Sequence, residues 1–299
     1  MLPEPYVQLL RRIDPQARLQ HQRELKGGLS AHVTALEWLD GAGEPRGAVL
    51  RRIGARAEAS DMLSPRQQFE LLQHLHAAGL SAPEPLLLDE SQSLLPDPWM
   101  LLGFVPGAPQ LAPAEPLEFA SKLARKLAQI HACDPAAMSG VLPRADERME
   151  LLLARPAADA RVRRALGERW PLSSRNPERL LHGDFWPGNV LWQGPEISGV
   201  IDWADAAFGD PLLDLSIARL ELCWLLGEPA MDQFTQAYCA AVPCDVDPLP
   251  YWDLLAALRP GSKLAVWADA WPDGDHPHIT EADMRDALDR FIDQALARV

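Results

Sequence analysis

The spacing of apolar residues changes character once along this chain, near Pro106-Gly107-Ala108-Pro109. Before that point, short apolar runs alternate with polar residues or sit between turn formers, which is the two-residue period of strands. After it, apolar residues recur every three or four positions, the period of helices. A chain of this kind resolves into a mainly β segment followed by a mainly helical one. Strands are expected at Arg18 to Leu25, Val33 to Leu39, Ala48 to Ile53 and Trp99 to Val105. One helix is expected among them, from Gln67 to Ala78, with Phe69, Leu71, Leu72, Leu75 and Ala78 along one face and Gly79 ending it. Beyond the break, helices are expected at Leu117 to Ala132, Arg148 to Leu153, Arg161 to Trp170, Leu212 to Leu226, Met231 to Ala241 and Tyr251 to Leu258. A last helix follows Thr280, an N-cap with Asp283 in the reciprocal capping position, and carries Met284, Leu288, Phe291, Ile292 and Leu296 on one face.

The 299 residues suit one large domain or two small ones, and 47% apolar content is enough for a sizeable core. A net charge of −14 sets the chain against phosphate backbones, so nucleic acid is not expected as a partner. No window approaches the length of a membrane span, and the first residues, with an early Glu and two Pro, do not resemble a secretion signal. The four cysteines form neither a CxxC pair nor a Cys/His ladder, which fits reduced thiols and a cytoplasmic protein.

One β interlude interrupts the helical part. In Leu180-Leu181-His182-Gly183-Asp184-Phe185-Trp186-Pro187-Gly188-Asn189-Val190-Leu191-Trp192, then Gln193-Gly194-Pro195, then Ile197 to Trp203, two strand-like runs flank a turn. If the hairpin is centred between Pro195 and Glu196, Asn189 and Asp202 are equidistant from its tip and face one another at the open end. An amide oxygen and a carboxylate there suit a hard cation such as Mg²⁺. Asp184, five residues before Asn189, can hang over the same point. Each of the three, taken singly, is an ordinary turn or strand-end residue. Together they supply what phosphoryl transfer needs, a metal site and a free carboxylate to orient a hydroxyl and accept its proton.

His182-Gly183-Asp184 with Asn189, then Ile201-Asp202-Trp203, resembles the catalytic and metal loops of the aminoglycoside phosphotransferase and choline kinase family, small-molecule relatives of protein kinases. Gly209-Asp210-Pro211 with Asp214-Leu215 is similar to the pattern that follows in that family. The resemblance implies an α+β, protein-kinase-like two-lobed fold. A small N-terminal lobe with an antiparallel β-sheet, residues 1–105, would bind the nucleotide. A larger, mainly α-helical C-terminal lobe, residues 106–299, would carry catalysis and the acceptor.

The resemblance also implies site residues. Asp184 would be the catalytic base, and Asn189 and Asp202 the Mg²⁺ ligands. Gly27, Gly28 and Ser30 would lie in a loop over the phosphates of ATP or GTP. Arg51, or its neighbour Arg52, would hold those phosphates, and Leu102, Gly103, Phe104 and Val105 would form the linker against the nucleotide base. The family's helix normally pairs an acid with the basic residue; here the aligned position is Gln68, which is expected to weaken that clamp. His182 is expected to be structural, and Asp214 to anchor the catalytic loop. The partners implied are a nucleotide and a small-molecule hydroxyl acceptor, with the acidic composition tilting towards a cationic one. A nucleotide-binding pseudokinase is the other reading, resting on Arg51 in place of Lys and on Gln68.

Overall fold

Proline placement explains the elements that apolar spacing alone does not announce. In the computed structural model, which describes residues 4–25, 31–53, 62–134, 138, 140–154, 159–172, 175–261, 263–270 and 279–299, several elements open on a proline. In chain order these are α1 (Glu4–Arg11), β1 (Arg18–Leu25), β2 (Ala31–Leu39), β3 (Pro45–Ile53), α2 (Pro65–Ala77), β4 (Pro85–Asp89), β5 (Trp99–Gly103), β6 (Ala108–Pro109), α3 (Pro116–His131), α4 (Ala145–Leu153), α5 (Ala160–Gly167), β7 (Arg179–Leu181), β8 (Val190–Gln193), β9 (Glu196–Val200), β10 (Ala207–Gly209), α6 (Leu212–Leu226), α7 (Glu228–Ala241), α8 (Leu249–Ala256), α9 (Leu264–Ala270) and α10 (Glu281–Leu296). They fall into two compact units, Met1–Gly107 with Gln193–Ala204, and Ala108–Trp192 with Asp205–Val299.

The first unit is built on a five-stranded sheet of order β1-β2-β3-β5-β4. All its pairings are antiparallel. One face buries Leu36, Trp38, Ala48, Leu50, Trp99 and Leu101 in a cluster with Leu9 and Leu10 of α1. Alternation sends Arg51 to the other face, where it stands opposite Met100 in the register. Helix α2 covers that side through Gln68, Leu71, Leu72 and Leu75. It begins two residues before the apolar pattern because Ser64 accepts the amide of Gln67 while Gln67 returns the bond to the Ser64 amide, and Pro65 sits in the first turn where its missing N–H costs nothing. The same logic admits Pro85, which opens β4 on the sheet's outer edge, where no ladder partner calls for its amide.

The second unit is helical around α6. Every residue of α6 from Leu212 to Leu225 is buried, so it is apolar on all sides and forms the core that α7, α8 and α10 pack around. The polar residues that α6 carries, Asp214, Ser216, Arg219 and Glu221, are therefore buried too. Two short pairings bring chain segments to its N-terminal end, β7 with β10 and β6 with β8. Helix α10 has the capping box between Thr280 and Asp283 that the sequence announces. Its buried face is Met284, Ala287, Phe291, Ile292 and Ala295, with Leu288 and Leu296 half-buried beside it. Among the described residues, no helix is long and apolar enough to cross a membrane.

Candidate active site

Strand β7 runs into His182-Gly183-Asp184, and the backbone there is held from below by one side chain. Asp214, in the first turn of α6 and buried, accepts the His182 amide at 2.6 Å and the Gly183 amide at 2.8 Å. His131, at the end of α3, contacts the same carboxylate through Nε2 at 3.2 Å, and its Nδ1 lies 2.6 Å from the Tyr238 hydroxyl. Burial alone would raise the proton affinity of Asp214. The hydrogen bond to His131 and the backbone amide of His182 outweigh it and hold the carboxyl below its ordinary range. The expected anchoring role of Asp214 is what the structure has. His182 is structural as well: it is fully buried, its Nδ1 accepts the Asp184 amide at 3.3 Å, and its ring meets Phe185 edge-on.

Gly183 has φ +78°, and a Cβ there would lie 1.9 Å from the Asp205 carbonyl oxygen. Only glycine fits this turn, which is why the chain can aim Asp184 outward immediately after a buried histidine. The Asp184 side chain is 28% exposed, open enough to meet a ligand. Asn189, in a 3₁₀ turn over Pro187–Asn189, donates through Nδ2 to the Asp184 carbonyl at 2.9 Å and to its Oδ2 at 3.0 Å. The amide nitrogen of Asn189 is thereby committed to Asp184.

Two further residues join Asp184, and the sequence gives no sign of either. Arg259, just beyond α8, donates from Nη2 to Asp184 Oδ1 at 2.6 Å. Glu221, on α6, is buried beside them. Desolvation pushes its carboxyl up to about 8, with the Asp184 charge adding to the rise and Arg259 opposing it. Both residues lie in the stretch beyond Leu220, where no pattern points to chemistry. They reach Asp184 through the packing of α8 on α6.

In the first unit, Arg51 donates from Nη1 to Gln68 Oε1 at 3.0 Å, and its Nη2 lies 2.9 Å from Asp202 Oδ1. Gln68 is fixed in turn by its Nε2 bond to the Leu63 carbonyl at 2.7 Å. Gln68, in the place of the acid, thus contacts Arg51 as a neutral acceptor. Arg52 points the other way and has Asp97 near it at 3.9 Å. Asp202 adopts φ +60°, a left-handed conformation that Asp tolerates better than most residues, and its side chain is 43% exposed. In the linker, Leu102 is buried and Phe104 exposed, while the Gly103 and Phe104 amides donate to the carbonyls of Glu84 and Gly47. The Val105 side chain packs against Gly199. Gly27, Gly28 and Ser30 lie outside the described residues.

Among the described residues, no three His, Cys, Asp or Glu side chains gather as a metal cage.

The chain matches the model of the phosphotransferase enzyme family over residues 21–258. Among curated proteins, it is 31% identical to a homoserine kinase of Methylocella silvestris over 52% of each chain. It is 29% identical to the viomycin phosphotransferase of Streptomyces vinaceus over 46% of this chain and 55% of that one. The chain thus spans about half the length of the curated relatives it matches. Among solved structures, it resembles macrolide 2′-phosphotransferase of Brachybacterium faecium with a TM-score of 0.64 at 18% identity, over 97% of this chain and 98% of that one. It resembles the GDP complex of an aminoglycoside 2′-phosphotransferase with a TM-score of 0.62 at 19% identity, over 98% and 97%. The fold, an antiparallel sheet unit followed by a helical one, is the kinase-like fold of these enzymes, and the chain belongs to the phosphotransferase enzyme family.

Proposed function

We propose that this protein transfers the γ-phosphoryl group of ATP or GTP to a hydroxyl of a small molecule. Residues 1–105 would form the nucleotide-binding lobe and residues 106–299 the catalytic and acceptor-binding lobe. The observation that carries this reading is the environment of Asp184: a solvent-reachable carboxylate on a loop whose backbone is locked by buried Asp214 and whose own oxygen is steered by Asn189. A general base needs this combination of access and fixed aim. In the reaction, the acceptor oxygen forms a bond to the γ-phosphorus as the bond to the β-phosphate oxygen breaks. The acceptor proton passes to Asp184, and the nucleoside diphosphate leaves.

In this reading Asn189 and Asp202 hold Mg²⁺, whose charge when bound offsets that of the phosphates. Arg51, aimed by Gln68, holds phosphate oxygens in a planar fork, as an arginine does well. The Gly27-Gly28 to Ser30 loop covers the phosphates, and Leu102, Gly103, Phe104 and Val105 lie against the base. The Gly103 and Phe104 amides are themselves engaged inside the unit. A neighbour solved with GDP supports a nucleotide donor. The free thiols of Cys133, Cys223, Cys239 and Cys244 fit a cytoplasmic setting.

The test is transfer from γ-labelled ATP and GTP to a panel of small alcohols, with Asp184→Ala beside the native protein. Loss of transfer by about 10²–10⁴-fold, with nucleotide still bound, is the expected result. Undiminished transfer in Asp184→Ala would remove the residue from that role.

A further inference from the structure

Two thiols meet where α7 ends. Cys239 lies in its last turn and Cys244 just beyond it, and their sulfurs are 4.0 Å apart. Both are free and half-buried, within reach of a small solute. The helix ends at Val242, whose backbone is extended and whose amide donates to the Tyr238 carbonyl at 2.9 Å. The chain then folds back and sets Cys244 against Cys239. Each cysteine also adjoins one of two hydrogen-bond chains that hold the start of α6. Tyr238, next to Cys239, has its hydroxyl 2.6 Å from His131 Nδ1, and His131 contacts Asp214, the acceptor for the His182 and Gly183 amides. Asp245, next to Cys244, donates its amide to Asn176 Oδ1 at 2.7 Å. Asn176 Nδ2 donates to Asp210 Oδ1 at 3.1 Å, and that oxygen accepts the Leu212 amide at 2.9 Å.

We propose that Cys239 and Cys244 form a reversible oxidation site that takes a soluble disulfide as oxidant, and that the bond between them loosens the supports of α6 and of the loop carrying Asp184. The effect on transfer rests on the phosphotransfer reading above; the site itself does not. Where intracellular proteins carry disulfides, these are typically transient or redox-sensing. To bond, the sulfurs must close from 4.0 Å to about 2.05 Å. That closure draws the last turn of α7 and the segment after it together. Tyr238 and Asp245 move with them, and hydrogen bonds weaken steeply when distance and angle change. Burial pushes the Cys244 thiol up to about 12, so near neutral pH it keeps its proton and the first attack falls to Cys239. The Cys239 thiolate attacks one sulfur of the soluble disulfide. A mixed disulfide forms, and one small thiolate leaves and takes up the proton that Cys239 gave up. Cys244 then attacks the Cys239 sulfur and passes its proton to the second departing thiolate. Two protein thiols are oxidised to one disulfide, and one soluble disulfide is reduced to two thiols.

The experiment equilibrates native protein, Cys239→Ser and Cys244→Ser with glutathione buffers of rising oxidised fraction. Thiol counting, differential alkylation with tandem mass spectrometry, and amide hydrogen exchange are read on each. The native protein should fall from four free thiols to two, with Cys239 and Cys244 joined, and dithiothreitol should restore all four. Neither serine variant should form an internal bond. In the oxidised native protein the His182, Gly183 and Leu212 amides should exchange about 10-fold faster or more, while those of β2 keep their rates. Transfer should slow by about 10- to 100-fold and recover with dithiothreitol. Unchanged thiols across the series, a mixed adduct that never resolves, or a bond to Cys133 or Cys223 would overturn the proposal. So would a Cys239–Cys244 bond that leaves those amides unchanged. Faster exchange with undiminished transfer would overturn the effect on the reaction. The native protein decides each point even if a serine variant fails to fold. Absence of transfer from both oxidised and reduced protein would sink the phosphotransfer reading alone, with thiol counts and exchange rates still deciding this one.

Discussion

At the residue scale, the site is a set of charges whose environments have been pulled apart. Asp214 and Glu221 lie on the same helix and are both buried, yet one is held ionised and the other is pushed towards neutrality. Asp214 has His131 and two backbone amides; Glu221 has burial and the charge of Asp184. A pH dependence follows. Glu221 binds its proton more tightly in the folded chain, at about 8 against an ordinary 4.5. Its contribution to stability is therefore fully present below about 4.5 and is lost as pH rises through about 8. Glu221→Gln should remove that loss. In urea titrations, the stability of the native protein relative to Glu221→Gln should fall by up to a few kcal/mol between pH 5 and pH 9. A flat difference would contradict the burial of a titrating Glu221. For Asp214 the sign is opposite, and the substitution is harsher. Asp214→Ala leaves two buried amides and His131 without their acceptor, and should cost on the order of 3–5 kcal/mol in the same titration.

At the element scale, the turn between β7 and the Pro187–Asn189 3₁₀ segment is where sequence and chemistry are most tightly tied. Gly183→Ala would drive a methyl group into the Asp205 carbonyl and force Asp184 off its aim. A displacement of an ångström at a catalytic group costs about 100-fold in turnover, so the variant should retain nucleotide binding and lose transfer to that extent. Steady-state kinetics beside a nucleotide titration would check it. The sequence made this turn legible because its constraints are local: a glycine, an aspartate and an asparagine at fixed spacing, followed by strands β8 and β9 where they are expected. Local chemistry likewise announces the capping box of α10. It does not announce α1 or β4, whose Pro5 and Pro85 read as breaks until their positions in a first turn and on a sheet edge are known. Nor does it announce Arg259, which lies 75 residues from Asp184 and owes its place to how α8 packs on the buried helix α6. Gln68 was legible as a departure from an acid; that its amide is held against Arg51 by the Leu63 carbonyl was not.

At the scale of the whole molecule, the proposed roles are shared between the two units. Arg51, Asp202 and the linker belong to the sheet unit, and Asp184, Asn189 and Arg259 to the helical one. A nucleotide that binds the folded chain with Mg²⁺ should stabilise it against unfolding. The most direct measurement is a thermal melt with Mg²⁺ and ATP, and with Mg²⁺ and GTP, for the native protein and Asp202→Ala. Ligand at about 100 times its dissociation constant adds roughly 2.7 kcal/mol. At about 2–4 °C per kcal/mol, that should raise Tm by several degrees or more. The expected result is a rise with at least one nucleotide that requires magnesium and disappears in Asp202→Ala. No rise with either nucleotide in the native protein would contradict the proposed nucleotide-dependent phosphotransfer.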